Sequence, residues 1–226
     1  ISKYYKKKFK DIKKIDLLDW KDYQNINKKY DWVFFCYTET SMGIKLPLEK
    51  IYKVCRSKKI KIMLDATASF GLEKNHNLAD VFSYSSCKGL FGLTGASFIS
   101  YDEEPRNKVN SFNLDINTHL FKGTTGPYHA IYSLDGVLKI HSKFKKSVIT
   151  NKKVFMKKVK NLLSVEREYQ PLLCTQINLK IKNSNKNVIL YEPRSNLNGS
   201  IVCHLGEVHL KDKAKGDILK YLNLSK

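Results

Sequence analysis

Arginine is scarce. Arg56, Arg106, Arg167 and Arg194 are the only guanidinium groups among 41 basic residues, and the rest are lysine. Proteins that read nucleic acid lean on the planar guanidinium fork for bidentate contacts. The formal charge of +20 is instead carried by lysine scattered along every stretch, among many asparagines and isoleucines. That distribution reads as a solvated surface and argues against nucleic acid as a partner. Long apolar runs are lacking too: none approaches the roughly 20 residues of a membrane-spanning helix, so no membrane partner is expected. The five cysteines (Cys36, Cys55, Cys87, Cys174 and Cys203) form no C-x-x-C pair, which excludes zinc ribbons and redox dithiols of that type. Their odd number suits a reduced setting, and a cytoplasmic location is expected. The opening, Ile1 followed by a lysine-rich stretch, has no signal-peptide pattern. A start on Ile rather than Met leads us to expect a longer parent chain.

Several chemistry-bearing patterns are also missing. There is no phosphate loop of the G-x-x-x-x-G-K-[ST] type, no G-x-G-x-x-G, no G-x-S-x-G and no H-x-x-x-H pair, so no metal site is expected. Internal repeats and low-complexity linkers are absent as well. The chain does have ample material for a core: 226 residues, 42% hydrophobic and 12% aromatic, which excludes disorder as the main state.

The apolar runs are short and bounded by turn residues. Trp32–Tyr37, Ile60–Leu64, Ala79–Tyr84 and Ala96–Tyr101 read as buried strands. Between the first two, Pro47 opens a helix whose Ile51, Val54 and Cys55 recur at helical spacing. Strand, helix, strand, strand predicts an α/β sheet, mostly parallel. Tyr128 to Phe144 reads as one helix, and Val148 to Leu163 as another or its continuation. After Pro171 the pattern turns to short strands (Leu173–Ile181, Val188–Tyr191, Ile201–His204) and a closing helix over Ala214–Leu222. Residues 1–140 are therefore read as part of a large domain and 141–226 as a small, reduced α+β domain.

Three of the predicted strands end in polar turns closed by glycine: Thr38–Gly43 (TETSMG), Asp65–Gly71 (DATASFG) and Ser85–Gly89 (SSCKG). In doubly wound sheets ligands bind beyond the carboxyl ends of strands, so three such turns on one edge predict a site. They supply a carboxylate, Asp65, and an amine, Lys88. The pair admits a structural ion pair, acid/base work, or a Schiff-base lysine with a carboxylate facing a pyridinium nitrogen. Asp65 could equally cap a following helix.

The stretches Glu39–Pro47 (ETSMGIKLP), Met63–Gly71 (MLDATASFG) and Ser85–Gly95 (SSCKGLFGLTG) resemble the class V aminotransferases, which are fold-type I enzymes dependent on pyridoxal 5'-phosphate. Within the family they look most similar to the phosphonate- and alanine–glyoxylate-type transaminases. Gly123–Leu134 (GTTGPYHAIYSL) is similar to the family's Thr-x-Pro loop and long helix, and His204–Val208 (HLGEV) to its last strand and turn. The resemblance implies Lys88 as the Schiff-base lysine and Asp65 as partner of the pyridine nitrogen. It places Thr67 against the ring, Thr40 on the phenolic oxygen, and Thr125 on the phosphate of the partner in a homodimer. It further implies amino transfer between a small amino acid or aminophosphonate and a 2-oxo acid. Three features depart from the family pattern. The upstream phosphate-cradling turn and ring-stacking aromatic have no counterpart. Ile201 stands where the family's carboxylate-binding arginine is expected, leaving Arg194 as the candidate clamp. Lys182–Asn187 is too short for the expected helix. A fragment, a diverged member and a decayed one all stay open. So do a lyase or desulfurase chemistry and a non-catalytic binding protein.

Overall fold

The computed structural model describes residues 12–27, 29–105, 109, 115–122, 126–180 and 198–205. The strand expected at Val188–Tyr191 and the helix expected at Ala214–Leu222 lie outside these residues.

The described residues build a four-stranded sheet. Strands β1 (Trp32–Cys36), β4 (Lys61–Asp65) and β5 (Val81–Ser85) run parallel in that spatial order, and β6 (Ser97–Tyr101) closes the sheet antiparallel to β5. Between β1 and β4 come a tiny hairpin, β2 (Thr38–Glu39) and β3 (Ile44–Lys45), and helix α1 (Leu48–Ser57). Parallel neighbours need a long crossover, and α1 supplies it. The connection Ser86–Ala96 holds no such crossover, so β6 must return antiparallel.

One face of the sheet is closed. Leu48, Ile51 and Cys55 share one stripe of α1 and are fully buried against Ile62 and Leu64 of β4. Each such side chain contributes about 1.5–3 kcal/mol of burial. Phe70 continues this face: its ring stacks on Tyr84 of β5 at 3.9 Å, and Tyr84 stacks on Phe98 of β6 at 5.0 Å. His76 fills the space beside them, hydrogen-bonded to Ser69 Oγ at 2.9 Å, and burial pushes its pKa down to about 4. The opposite face carries Phe34 and Met63, register partners that are 62% and 40% exposed, and the exposed Ile99 and Trp32.

Beyond the sheet, α2 (Ile116–Lys122) precedes α3 (Tyr128–Leu138) and α4 (His141–Lys158). The single helix expected from Tyr128 to Phe144 is broken at Lys139–Ile140, and α4 starts three residues earlier than Phe144. No proline marks the break. Tertiary contacts hold the middle of α3 and the start of α4 instead. Ser133 of α3 accepts from the Leu93 N–H, and His141, first residue of α4, donates to the Gly89 carbonyl at 2.8 Å. The chain then forms an antiparallel hairpin, β7 (Cys174–Ile177) with β8 (Ser200–Cys203). One hairpin face packs Ile177 and Val202 onto Phe155 and Val159 at the end of α4. The other places Cys174 and Ile201 against Ala68 and Leu72, residues of the turn that follows Asp65.

Candidate functional site

Because β1, β4 and β5 are parallel, their carboxyl ends meet on one edge of the sheet. Register pairs Cys36 with Asp65 and Asp65 with Ser83, so all three share the open face. Asp65 Oδ1 accepts from the Thr67 N–H at 2.9 Å, and Oδ2 lies 3.5 Å from Cys36 Sγ. Asp65 thus caps its own turn rather than a helix. Among the described residues its second oxygen is held only by a thiol, a weak donor. Burial, with the Asp65 charge adding to it, pushes the Cys36 thiol up to about 12. Thr67 is drawn to Asp65 through its backbone, leaving its hydroxyl outside that bond.

Lys88 sits on the next turn. The Asp65 and Lys88 turns touch backbone to backbone at their glycines. A Cβ on Gly89 would lie 2.1 Å from the Phe70 carbonyl oxygen, and one on Gly71, whose φ is +85°, would lie 2.5 Å from the Gly89 oxygen. Only glycine permits this approach. Ser86 closes the Lys88 loop behind them: its hydroxyl donates to the Leu93 carbonyl and accepts from the Ala96 N–H. Lys88 itself has φ +59°, in the left-handed region where a side chain costs roughly 1–2 kcal/mol per residue. Its side chain is exposed and makes no hydrogen bond or ion pair with the described residues. The structural Asp65–Lys88 ion pair is therefore not formed. An open carboxylate and an unpaired amine on touching turns can hold a polar aromatic ligand and move protons beside it.

Of the remaining sequence candidates, Thr40 lies in the β2–β3 turn, where Ser41 donates to Glu39 Oε1 through its N–H and its hydroxyl. No hydrogen bond joins Thr40 to Asp65 or Lys88 among the described residues. Thr125 and Arg194 lie outside them. Ile201 is packed against the Ala68–Leu72 turn, an apolar contact where the family resemblance leads one to expect a guanidinium. Sequence reasoning missed Glu73, which accepts from the Leu172 N–H at 2.7 Å and lies 3.4 Å from Lys45 Nζ, tying the Asp65 turn to the β2–β3 hairpin and to the segment entering β7. It also missed His141, whose ring holds the Gly89 carbonyl. Neither carries a local motif; Glu73 lies two residues past the DATASFG turn, which was the one available signal.

Solved structures share this architecture. The alanine–glyoxylate aminotransferase of a Nostoc species is 22% identical with TM-score 0.57, covering 70% of this chain and 47% of its own. The phosphoserine aminotransferase of Cytophaga hutchinsonii is 16% identical with TM-score 0.67, covering 88% and 64%. The cysteine desulfurase of Thermococcus onnurineus is 17% identical with TM-score 0.52, covering 72% and 47%. The chain thus spans about half to two thirds of these proteins' length. At such identities the likeness is one of fold: an α/β, partial fold-type I architecture. No curated protein sequence matches the chain. The family is set by a broader pattern: the family model for class V aminotransferases matches residues 6–160, and the chain belongs to that family.

Proposed function

We propose that this chain carries the cofactor-anchoring edge of a pyridoxal 5'-phosphate-dependent transaminase, and that the complete protein moves an amino group between a small amino acid or aminophosphonate and a 2-oxo acid. The observation that carries the reading is the contact of the Asp65 and Lys88 turns at one sheet edge, with the carboxylate half-partnered and the amine unpaired. The donor set fits the cofactor. Asp65 offers a free lone pair on the open face, and buried Thr38 Oγ1, two residues beyond β1, has no partner among the described residues.

When bound, pyridoxal 5'-phosphate supplies the electron sink that makes the Cα proton of an amino acid acidic. Asp65 would keep a proton on the pyridine nitrogen, since a carboxylate beside a ring nitrogen favours its charged form. Lys88 Nζ would anchor the cofactor and then carry the proton to and from Cα. Thr67 would flank the ring and Thr40 would donate to its phenolic oxygen. Thr125 would reach the phosphate of a second subunit; the exposed Phe121, Tyr128 and Tyr132, close to it in sequence, support a homodimer. Arg194 would hold the substrate carboxylate. We place the boundary between large and small domains at residues 140 and 141, and the protein in the cytoplasm. The desulfurase alternative draws less support, because Cys174 and Cys203 lie in strands rather than on a loop.

The test is covalent capture. In the complete protein, borohydride treatment after loading with pyridoxal 5'-phosphate should label the peptide containing Lys88, and Lys88→Ala should lose the label. Label on a different lysine peptide would overturn the assignment.

A further inference from the structure

The hairpin holds a pair of cysteines that no step above uses. Cys174 and Cys203 are direct register partners across β7 and β8. The His204 N–H donates to the Leu173 carbonyl at 2.7 Å, which makes 173 and 204 a hydrogen-bonded pair. Antiparallel ladders alternate, so the adjoining pair, Cys174 with Cys203, is a non-hydrogen-bonded one. At such pairs the side chains lie on one face and the Cα atoms approach to about 4.5 Å. That separation falls within the roughly 4.4–6.8 Å that a disulfide spans.

We propose that Cys174 and Cys203 are a redox modification site that closes into a cross-strand disulfide when the chain meets a low-molecular-weight disulfide such as oxidised glutathione. Both cysteines are thiols in this structure. Their exposures assign the order of events. Cys203 is exposed and reacts first; Cys174 is buried behind it and does not meet an oxidant directly. The Cys203 thiolate attacks one sulfur of the small disulfide and releases one thiol, leaving a mixed disulfide on Cys203. Cys174 then gives up its proton, attacks the Cys203 sulfur and releases the second thiol. Two protein thiols are oxidised, one small disulfide is reduced to two thiols, and atoms and electrons balance. Burial, with Cys203 adding to it, pushes the Cys174 thiol up to about 12, so the second step is the slow one.

The pair sits on the hairpin face that packs against Ala68 and Leu72, in the turn following Asp65. Oxidation therefore staples the strand that bears Ile201 to its neighbour beside the candidate site, independently of what chemistry that site performs.

The experiment uses the full chain in buffers of reduced and oxidised glutathione, quenched by alkylation and digested with trypsin. Under oxidising buffer the peptides Glu168–Lys180 and Ser195–Lys211 should appear joined, with two of the five thiols lost and both recovered by a dithiol reductant. Cys174→Ser should stall at glutathione on Cys203, and Cys203→Ser should leave Cys174 alkylatable only after unfolding. Far-UV circular dichroism checks that each variant is folded. The proposal fails if wild-type Cys203 keeps its glutathione while Cys174 stays reduced. It fails equally if Cys174 joins Cys36, Cys55, Cys87 or a second chain.

Discussion

Two lysines separate the two regions of the molecule. At the sheet edge Lys88 stands exposed on a left-handed backbone with no partner among the described residues. Against the hairpin, Lys152 of α4 is buried and donates to the carbonyls of Pro171 and Cys174. Two further polar side chains of the hairpin pair with each other: Thr175 and His204 bond at 2.9 Å inside the packing. The edge leaves Asp65 half-partnered and Lys88 without a partner among the described residues, whereas Lys152, Thr175 and His204 each find a hydrogen-bond partner in the hairpin packing. Burial pushes Lys152 down to about 8, yet every cue of geometry ties that lysine to structure. A depressed lysine pKa marks burial first, and chemistry only when the amine also faces open space.

The comparison breaks most visibly at Asp65. Asp65→Asn keeps the Thr67 cap but removes the charge that would hold a proton on a ring nitrogen. In the complete enzyme we expect turnover to fall by about three orders of magnitude, or roughly 4 kcal/mol of barrier, with the unfolding midpoint little changed. Near-normal turnover would reduce Asp65 to a turn cap and make the edge as structural as the hairpin.

Lys152 sharpens the other side. Its folded pKa lies near 8 and its ordinary value is 10.5, so between those limits the unfolded chain binds more protons. Stability from this group must therefore rise as pH rises from about 8 to 10.5, and be lowest below 8, by up to about 3 kcal/mol. Urea unfolding of wild type and Lys152→Met across that range should show the slope in wild type and its loss in the variant. Equal slopes would mean that the amine is solvated and the hairpin less closed than described.

The smallest expected effect joins both regions. Gly89→Ala drives a methyl into the Phe70 carbonyl, and His141 at the start of α4 holds the same peptide. We expect a loss of about 2 kcal/mol in thermal unfolding, as for other overpacked sites, together with weaker pyridoxal 5'-phosphate capture at Lys88. Stability lost without any change in capture would uncouple the glycine contact from the placement of Lys88.

Much of the edge was legible in sequence because it obeys local rules. Apolar runs bounded by polar, glycine-closed turns marked β1, β4 and β5, and their parallel pairing put Asp65 and Lys88 on one side. The two-residue strands β2 and β3 were not legible, because pairs this short have no period to detect. Nor was the break at Lys139–Ile140, beside which His141 bonds the Gly89 carbonyl about 50 positions away in the loop around Lys88. Lys152 is one among many lysines, and only packing singles it out. The direction of β6 was legible in principle, because Ser86–Ala96 is too short for a crossover helix.

The left-handed backbone at position 88 has a further consequence. Glycine or asparagine would sit there without the steric cost that lysine bears. The folding free energy at this one position thus pulls away from the amine. A lineage under selection for stability alone would drift to a smaller residue and gain thermostability by doing so. Lys59 and Phe91 sit on the same left-handed backbone at φ +58° and +63°, so the cost alone does not mark a site; Lys88→Gly should gain stability as glycine would at those two positions.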